Sequence, residues 1–238
     1  MNKYYALTVN GTTADIYIFG DIVSWEWLES DVSSFTLSKE LQGLQADTIN
    51  VHINSYGGEV AEGLAIYNTL KNHAAKVVTI CEGFACSAAS VVFMAGDERV
   101  MNSASLLMIH NAWSIAAGNA EDLRKAADDL EKISDTAANA YRDAALSITD
   151  EELSALLADE TWITPAEALD WGFATSVIKA PVSEKAAASA RMALYKLVIS
   201  GRTKEDRPPP EPQPARAPDI PKKNTTLKFL EALKGGKE

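Results

Sequence analysis

Residues 83–90 carry the side chain best suited to nucleophilic chemistry. They read GFACSAAS and follow an apolar run at residues 76–81, while small and apolar residues continue after Ser87. The first run predicts a buried strand and the second a helix, which places Ser87 at a strand–turn–helix junction. Backbone N–H groups point outward at the start of a helix, where they can stabilise an oxyanion beside the hydroxyl. The same octapeptide also fits a tight turn of small residues packed against a neighbour.

A serine nucleophile needs a base, and His110 is the natural candidate. His110 ends the apolar run SLLMIH at residues 105–110, which predicts a strand. A histidine at a strand end can abstract the proton of a serine hydroxyl if a carboxylate orients its ring. We expect the other histidines to be structural, since His52 lies within a predicted strand and His73 ends a helix among polar residues. Ser90, one helical turn after Ser87, is the one rival nucleophile in register.

The pair Gly57-Gly58 forms a third candidate element of the site. It follows the predicted strand at residues 48–54 and precedes a helix with apolar positions from Val60 to Leu70. Paired glycines let a backbone approach a ligand closely and present its amides. The pair, Ser87 and His110 each follow a predicted strand, which is where open α/β sheets place their sites.

Strands alternate with helices through the first half of the chain, which predicts an α/β core with largely parallel strands. The predicted strands lie at residues 15–20, 48–54, 76–81 and 105–110, and we expect Gly83 to end the third. The predicted helices begin near Leu37, Val60 and Ser87.

The sequence from about residue 119 to residue 172 predicts mainly helices. A long helix is predicted at residues 119–146, with an apolar stripe that must be buried against something; its members are Leu123, Ala126, Leu130, Ile133 and Ala137. Capping boxes at Thr149–Glu152 and Thr164–Glu167 open two further helices. The second has Pro165 at its first position and Gly172 at its end.

Charge divides the chain into two parts. The 238 residues carry a net charge of −11, which argues against general nucleic-acid binding. Residues 201–238 hold 9 Lys/Arg and 6 Asp/Glu, a net of +3, together with seven of the nine prolines. This composition predicts a disordered, Pro-rich basic tail, with one short helix at Thr226–Leu233. We therefore expect a domain at residues 1–182, a helical extension at 183–200 and the tail at 201–238.

Composition also limits cofactors and location. The two cysteines, Cys81 and Cys86, offer neither a disulfide framework nor metal spacing with histidine. No apolar run reaches the roughly 18 residues of a membrane span, and the N-terminus lacks a signal-peptide core. We predict no metal, no cofactor, no membrane association and a cytoplasmic location.

Three motifs in order resemble those of the ClpP family of serine peptidases. They are INSYGG at residues 53–58, GFACSAAS at residues 83–90 and LMIH at residues 107–110. The resemblance implies a spiral core of βα units, shared with crotonases, and a long protruding helix at 119–146 that docks copies into homo-oligomeric rings. It implies that Ser87 is the nucleophile and His110 the base, that the amides of Gly58 and Ala88 form the oxyanion hole, and that Tyr56 and Gly57 contact substrate.

The third triad member implied by the resemblance lies before the segment WITPAEA at residues 162–168. Alignment on Trp162 and Glu167 puts Glu160 where the family commonly has aspartate. A shift of one residue makes Asp159 the alternative. Both acids could instead form the exposed end of a helix.

Departures from the housekeeping members resemble the ClpP-related head maturation proteases of tailed phages. Tyr56 stands where those members have proline, and the segment ADIYIFGDI at residues 14–22 and the tail at 201–238 fit the phage subfamily. That resemblance implies a prohead protease in the host cytoplasm that cleaves scaffold protein and major capsid protein. Because proteolysis concentrates in flexible, exposed segments, we also expect the enzyme to remove its own tail by a cut between about residues 180 and 208. The alternative is that the tail is a permanent linker to a partner-binding helix at Thr226–Leu233.

Three other functions remain open from the sequence. One is a bacterial ClpP-type peptidase that works with an unfoldase. Another is a non-catalytic capsid assembly or scaffolding protein with the same fold. The last is a crotonase-type acyl-CoA enzyme, in which Ser87 and His110 would be coincidences.

Overall fold

The computed structural model describes residues 5–26, 28 and 31–179. The predicted extension at 183–200 and the tail at 201–238, with its short helix, lie outside the described residues. The described helices are α1 (Ser34–Leu41), α2 (Val60–Lys71), α3 (Ala88–Phe93), α4 (Ala120–Arg142), α5 (Asp150–Ala158) and α6 (Pro165–Trp171). The described strands are β1 (Tyr5–Asn10), β2 (Thr13–Ile18), β3 (Thr48–Ser55), β4 (Lys76–Cys86), β5 (Glu98–Asn102), β6 (Leu106–Ile109), β7 (Thr161–Ile163) and β8 (Ser176–Ile178).

The strands form one mixed sheet in the order β1-β2-β3-β4-β5-β8, with β6 and β7 attached beside β4. Strands β2, β3, β4, β5 and β8 run parallel, and β1 pairs antiparallel with β2 at the edge. β6 runs parallel to the end of β4, and β7 pairs antiparallel with β6. The predicted α/β class with largely parallel strands is therefore confirmed.

β4 does not end at Gly83, and that prediction was wrong. The strand continues to Cys86, and its last residues pair with β6 through Phe84↔Leu106 and Cys86↔Met108. A Cβ at Gly83 would lie 2.5 Å from Oδ1 of Asn54, which accepts a hydrogen bond from the Phe84 amide. The glycine thus makes room for a side chain from β3 and does not stop the strand.

Alternation along the strands buries one face of the sheet against the helices. Ile16 and Ile18 of β2, and Val51 and Ile53 of β3, are fully buried. α3 lies in the centre of this core, since all six of its residues are buried. The short helix that begins after Ser87 is therefore held rigidly by packing.

Both predicted capping boxes are present. The Thr149 and Thr164 side chains accept hydrogen bonds from the Glu152 and Glu167 amides, and each glutamate returns a bond to the cap amide. Gly172 ends α6 in the left-handed region at φ 86°. These local signals fix where α5 and α6 begin and where α6 ends.

α4 is shorter than predicted, since it ends at Arg142, and most of it is not covered. Its buried residues, Ala138, Ala140 and Tyr141, all lie near its C-terminal end. Leu123 and Ile133, members of the predicted apolar stripe, are 45% and 38% exposed. Within the described part of the chain, the apolar stripe of α4 is therefore only partly covered, since Ala126, Leu130 and Ala137 are half-buried and Leu123 and Ile133 are exposed.

Candidate active site

Ser87 occupies a strained elbow between β4 and α3. Its backbone has φ 53° and ψ −125°, a combination that costs a non-glycine residue about 1–3 kcal/mol. The Ser87 amide donates to the Met108 carbonyl at 2.8 Å, which ties the elbow to β6. The strand–turn–helix junction predicted from the sequence is therefore present, and its strain is held by the surrounding packing.

The pairing of β4 with β6 brings His110 to Ser87. Cys86 lies opposite Met108 in this register, so the residues just beyond the two strand ends come together. The distance from Nε2 of His110 to Oγ of Ser87 is 2.7 Å. With the ring proton on Nδ1, Nε2 accepts the serine proton, which is the arrangement a general base requires.

Gly57 and Gly58 pack against the elbow in conformations that favour glycine. Their φ angles are 97° and 146°. A Cβ at Gly57 would lie 2.8 Å from Cβ of Ser87 and 2.9 Å from the Ala88 nitrogen, and a Cβ at Gly58 would lie 2.0 Å from the Ile22 carbonyl oxygen. The close contact of Gly57 with Ser87 and of Gly58 with Ile22 therefore depends on the absence of side chains.

The amides of Gly58 and Ala88 have no hydrogen-bond acceptor among the described residues. Both residues line the cleft that contains Ser87 and His110. Two free N–H groups beside a serine hydroxyl can bind the oxygen of a tetrahedral intermediate. The structure thus places both predicted oxyanion donors at the cleft.

The cleft has a volume of about 570 Å³, and most of its wall is apolar. Three aromatic residues at its mouth are strongly exposed, at 69% for Tyr56, 73% for Trp113 and 49% for Trp162. Phe84 links Tyr56 and Trp162 through edge-to-face contacts with centroid distances of 5.5 and 5.7 Å. Tyr56 was predicted to contact substrate, whereas Trp113 was missed, although its place shortly after His110 could have indicated it.

Neither predicted acid contacts His110. No carboxylate of the residues the structure describes accepts a hydrogen bond from the His110 ring, and both Asp159 and Glu160 are exposed. Asp159 caps the end of α5, while Glu160 has φ 50° and precedes β7. Since Ile109 pairs with Thr161, Glu160 is the next residue opposite His110 in that antiparallel register. The structure brings Ser87 and His110 together but leaves the acid apart.

Ser90 is not available as a nucleophile in this conformation. It is 1% exposed, and its Oγ lies 2.6 Å from the Ser87 carbonyl oxygen and 2.7 Å from the Tyr141 hydroxyl. Cys86 borders the cleft, but burial raises the pKa of its thiol to about 11, so the reactive thiolate is scarce at neutral pH. Among the hydroxyls and thiols of the described residues that line the cleft, Oγ of Ser87 is the one in hydrogen-bonding contact with a histidine.

The two remaining histidines have structural contacts, as predicted. Nδ1 of His52 lies 2.7 Å from the Glu82 carboxylate, and its ring stacks on Tyr17 at a centroid distance of 4.6 Å. Nδ1 of His73 accepts a hydrogen bond from the Ala75 amide at 3.0 Å. Both rings lie away from the cleft residues, so neither competes with His110.

Over residues 5–26, 28 and 31–179, no three histidine, cysteine or acidic side chains converge as metal ligands. In the same part of the chain, no helix combines the length and the apolar character needed to cross a bilayer.

Sequence comparisons agree with the geometry. The family model described as Clp protease matches residues 30–181, more than half of the chain. An ATP-dependent Clp protease proteolytic subunit of Deinococcus radiodurans is 39% identical over 135 residues, which cover 55% of this chain and 64% of the relative. The proteins of the same name from Bacteroides thetaiotaomicron and Bacteroides fragilis strain ATCC 25285 are both 32% identical, over 62% of this chain and 70% and 74% of their own lengths. The chain thus aligns with less than two thirds of the Deinococcus protein and with somewhat more than two thirds of the other two. Because the family model covers more than half of its length, the chain belongs to the Clp protease family.

Proposed function

We propose that this chain is a ClpP-type serine endopeptidase with Ser87 as nucleophile and His110 as general base. The observation that carries the proposal is the 2.7 Å contact between Oγ of Ser87 and Nε2 of His110 at a strained elbow. The free amides of Gly58 and Ala88 at the same cleft support it. A crotonase-type enzyme would need the oxyanion donors but would leave the serine–histidine contact unexplained.

The geometry supports acyl transfer in two steps. His110 takes the Ser87 proton as Oγ attacks the peptide carbonyl carbon, and the carbonyl oxygen becomes an oxyanion bound by the two amides. His110 then protonates the leaving amine as the C–N bond breaks and an acyl-enzyme remains. A water molecule, deprotonated by His110, attacks this ester, and collapse of the second intermediate releases the new carboxyl terminus and reprotonates Ser87.

Glu160 is the acid we assign to orient His110. Its position opposite His110 in the β6–β7 register supports this choice, because directly opposed residues lie on the same side of an antiparallel pair. The glutamate must move to reach Nδ1, since its carboxylate makes no contact with the ring here. Glu160→Gln should lower kcat by orders of magnitude, while Asp159→Asn should retain most activity. Circular dichroism confirms folding, and the reverse ranking of the two variants would move the acid to Asp159.

A fluorophosphonate probe gives the direct test of the nucleophile. Wild type should be labelled at Ser87, as located by peptide mass spectrometry, and Ser87→Ala should be unlabelled and inactive on a fluorogenic peptide. Ser90→Ala is the matched control, since it removes a hydroxyl three residues away and should still be labelled. Normal turnover by Ser87→Ala would refute the assignment.

We propose two biological settings for this peptidase. The relatives are proteolytic subunits of ATP-dependent proteases, which favours a homo-oligomeric ring that receives unfolded proteins from an ATP-driven unfoldase. A phage head maturation protease, acting on scaffold and major capsid protein, is the second candidate. Tyr56 and the basic, Pro-rich residues 201–238 favour it, and its location would be the assembling prohead.

Folded and unfolded substrates separate these settings. A proteolytic subunit should degrade a folded, tagged protein only when a Clp-type unfoldase and ATP are added. A head maturation protease should cut co-expressed scaffold and capsid proteins at discrete sites without ATP. Ser87→Ala provides the background for both assays.

A further inference from the structure

A buried chain of hydroxyl groups runs from α4 to the nucleophile elbow. Oγ of Ser90 lies 2.6 Å from the Ser87 carbonyl oxygen and 2.7 Å from the Tyr141 hydroxyl. Ser90 and Tyr141 are 1% and 2% exposed, so water does not compete for these bonds. Among the described residues, neither side chain hydrogen-bonds to His110.

The direction of the chain follows from its donors. A carbonyl oxygen can only accept, so the single proton of the Ser90 hydroxyl points to Ser87. The Tyr141 hydroxyl must then donate to Oγ of Ser90. Burial raises the pKa of Tyr141 to about 12, which keeps this proton in place at neutral pH.

The Ser87 carbonyl shares a planar peptide with the Ala88 amide. The carbonyl and N–H of a trans peptide point in opposite directions, so fixing one aims the other. The amides of Ser90 and Val91 also donate to this carbonyl, at 2.9 and 3.4 Å. With its carbonyl held inside α3, the peptide directs the Ala88 N–H away from Ser90, towards the cleft that Ala88 lines.

We propose that Tyr141 and Ser90 are positioning residues that aim and polarise the Ala88 amide, one of the two oxyanion donors. This inference rests on the proposed serine peptidase activity and concerns the same site. Successive hydrogen bonds polarise one another, so a donor to the Ser87 carbonyl strengthens the Ala88 N–H as a donor. The effect is felt where negative charge develops on the substrate oxygen, which is the transition state and not the bound substrate.

The variants Ser90→Ala and Tyr141→Phe test the relay. Losing a complete oxyanion donor lowers kcat by about 10²–10³, so weakening one should lower it by about 10-fold, with KM nearly unchanged. Because the two residues act in series, the double variant should lose no more than Ser90→Ala alone. Binding of a peptide boronate, whose adduct fills the oxyanion position, should weaken by the same factor as kcat.

Thr79→Val is the matched control for a merely structural role. The Thr79 hydroxyl donates to the Phe93 carbonyl at 2.7 Å and is fully buried, so it stabilises the other end of α3 by the same kind of bond. Its loss should lower the melting temperature as much as Ser90→Ala does but leave kcat unchanged. Wild-type kcat in Ser90→Ala, or an equal loss of kcat in Thr79→Val, would overturn the relay.

Crystal structures separate failure of the relay from failure of the proposed function. In Ser90→Ala, we expect the Ser87–Ala88 peptide to rotate, which changes ψ of Ser87 from −125°. This readout does not require turnover. An inactive wild-type protein would refute the peptidase assignment, while an unchanged ψ together with an unchanged kcat or boronate affinity would refute the relay.

Discussion

Gly57→Ala should inactivate the site without unfolding the chain. The new Cβ would lie 2.5 Å from the Cys86 carbonyl oxygen and 2.8 Å from Cβ of Ser87. Ordinary contacts begin at 3.4 Å, so the loop or the elbow must move by about 0.9 Å. A displacement of about 1 Å in a catalytic arrangement costs on the order of 10² in rate. The φ of 97° adds a backbone strain of about 1–2 kcal/mol.

Gly43→Ala is the control that separates the free-energy cost of a positive φ angle from the cost of a steric clash. Gly43 has φ 88°, and a Cβ there meets no atom within 4 Å. Both variants should lose roughly 2–4 °C in melting temperature per kcal/mol of strain. Only Gly57→Ala should lower kcat/KM, by about 100-fold on a fluorogenic peptide. If the two variants keep kcat/KM within about 3-fold of each other, the elbow tolerates the displacement and the reasoning fails.

The remaining predictions concern α4, the thiols and the segment after the described residues. The double variant Leu130→Asp/Ile133→Asp places two charges on the apolar stripe of α4. The mass measured by light scattering should then fall from that of the wild-type assembly towards the 25.6 kDa of one chain. If wild type is already a monomer and the variant has the same mass, the ring is excluded. Burial raises the pKa of Cys81 to about 11, above its unfolded value near 9. The free energy of unfolding should therefore fall as the pH rises from about 9 to 11, because only the unfolded thiol loses its proton in that range. In Cys81→Ala, the melting temperature should depend less on pH over the same range. On ageing with capsid partners, wild type should lose the segment that follows a cut between about residues 180 and 208, while Ser87→Ala keeps its full mass. Intact mass spectrometry would contradict self-cleavage if wild type keeps its full mass or if both proteins are cut at the same place.

The sequence predicted those features that depend on local pattern. Ser87 and His110 each follow a short apolar run, which is consistent with a buried strand, and the alternation of such runs with helical patterns favours that interpretation. The capping boxes at Thr149 and Thr164 consist of hydrogen bonds between residues that lie within four positions of each other, so the local sequence alone predicts them. Order along the chain was enough to place Ser87 and His110 at strand ends.

Elements that depend on distant partners were not predicted. β5 contains Arg99, which is 9% exposed and donates to the carbonyls of Gly96, Gly172 and Phe173. A charged residue among ERVMN argues against a buried strand until those acceptors are known. β7 has only three residues, too few for any periodicity, and its pairing with β6 fixes where Glu160 lies.

The choice between Ser87 and Ser90 also needed tertiary structure. Residues three apart share one face of a helix, so the sequence places both hydroxyls in register. The structure separates them because Ser87 precedes α3 in a strained conformation facing His110, whereas Ser90 is turned inward to Tyr141. Ser90 is the hydroxyl that Tyr141 of α4 contacts, which is why we propose a positioning role for it and not a nucleophilic one.

The branching of the sheet at β4 explains why a long strand suits this site. Residues 78–81 of β4 pair with β5, and residues 84–86 pair with β6. A strand that stopped at Gly83 would have no edge for β6, and His110 would have no ladder to align it with Ser87. The divide falls at Gly83, where the missing side chain admits Asn54 from β3. The glycine expected to break the strand is therefore the place where the strand changes partners, and that change brings Ser87 and His110 to hydrogen-bonding distance.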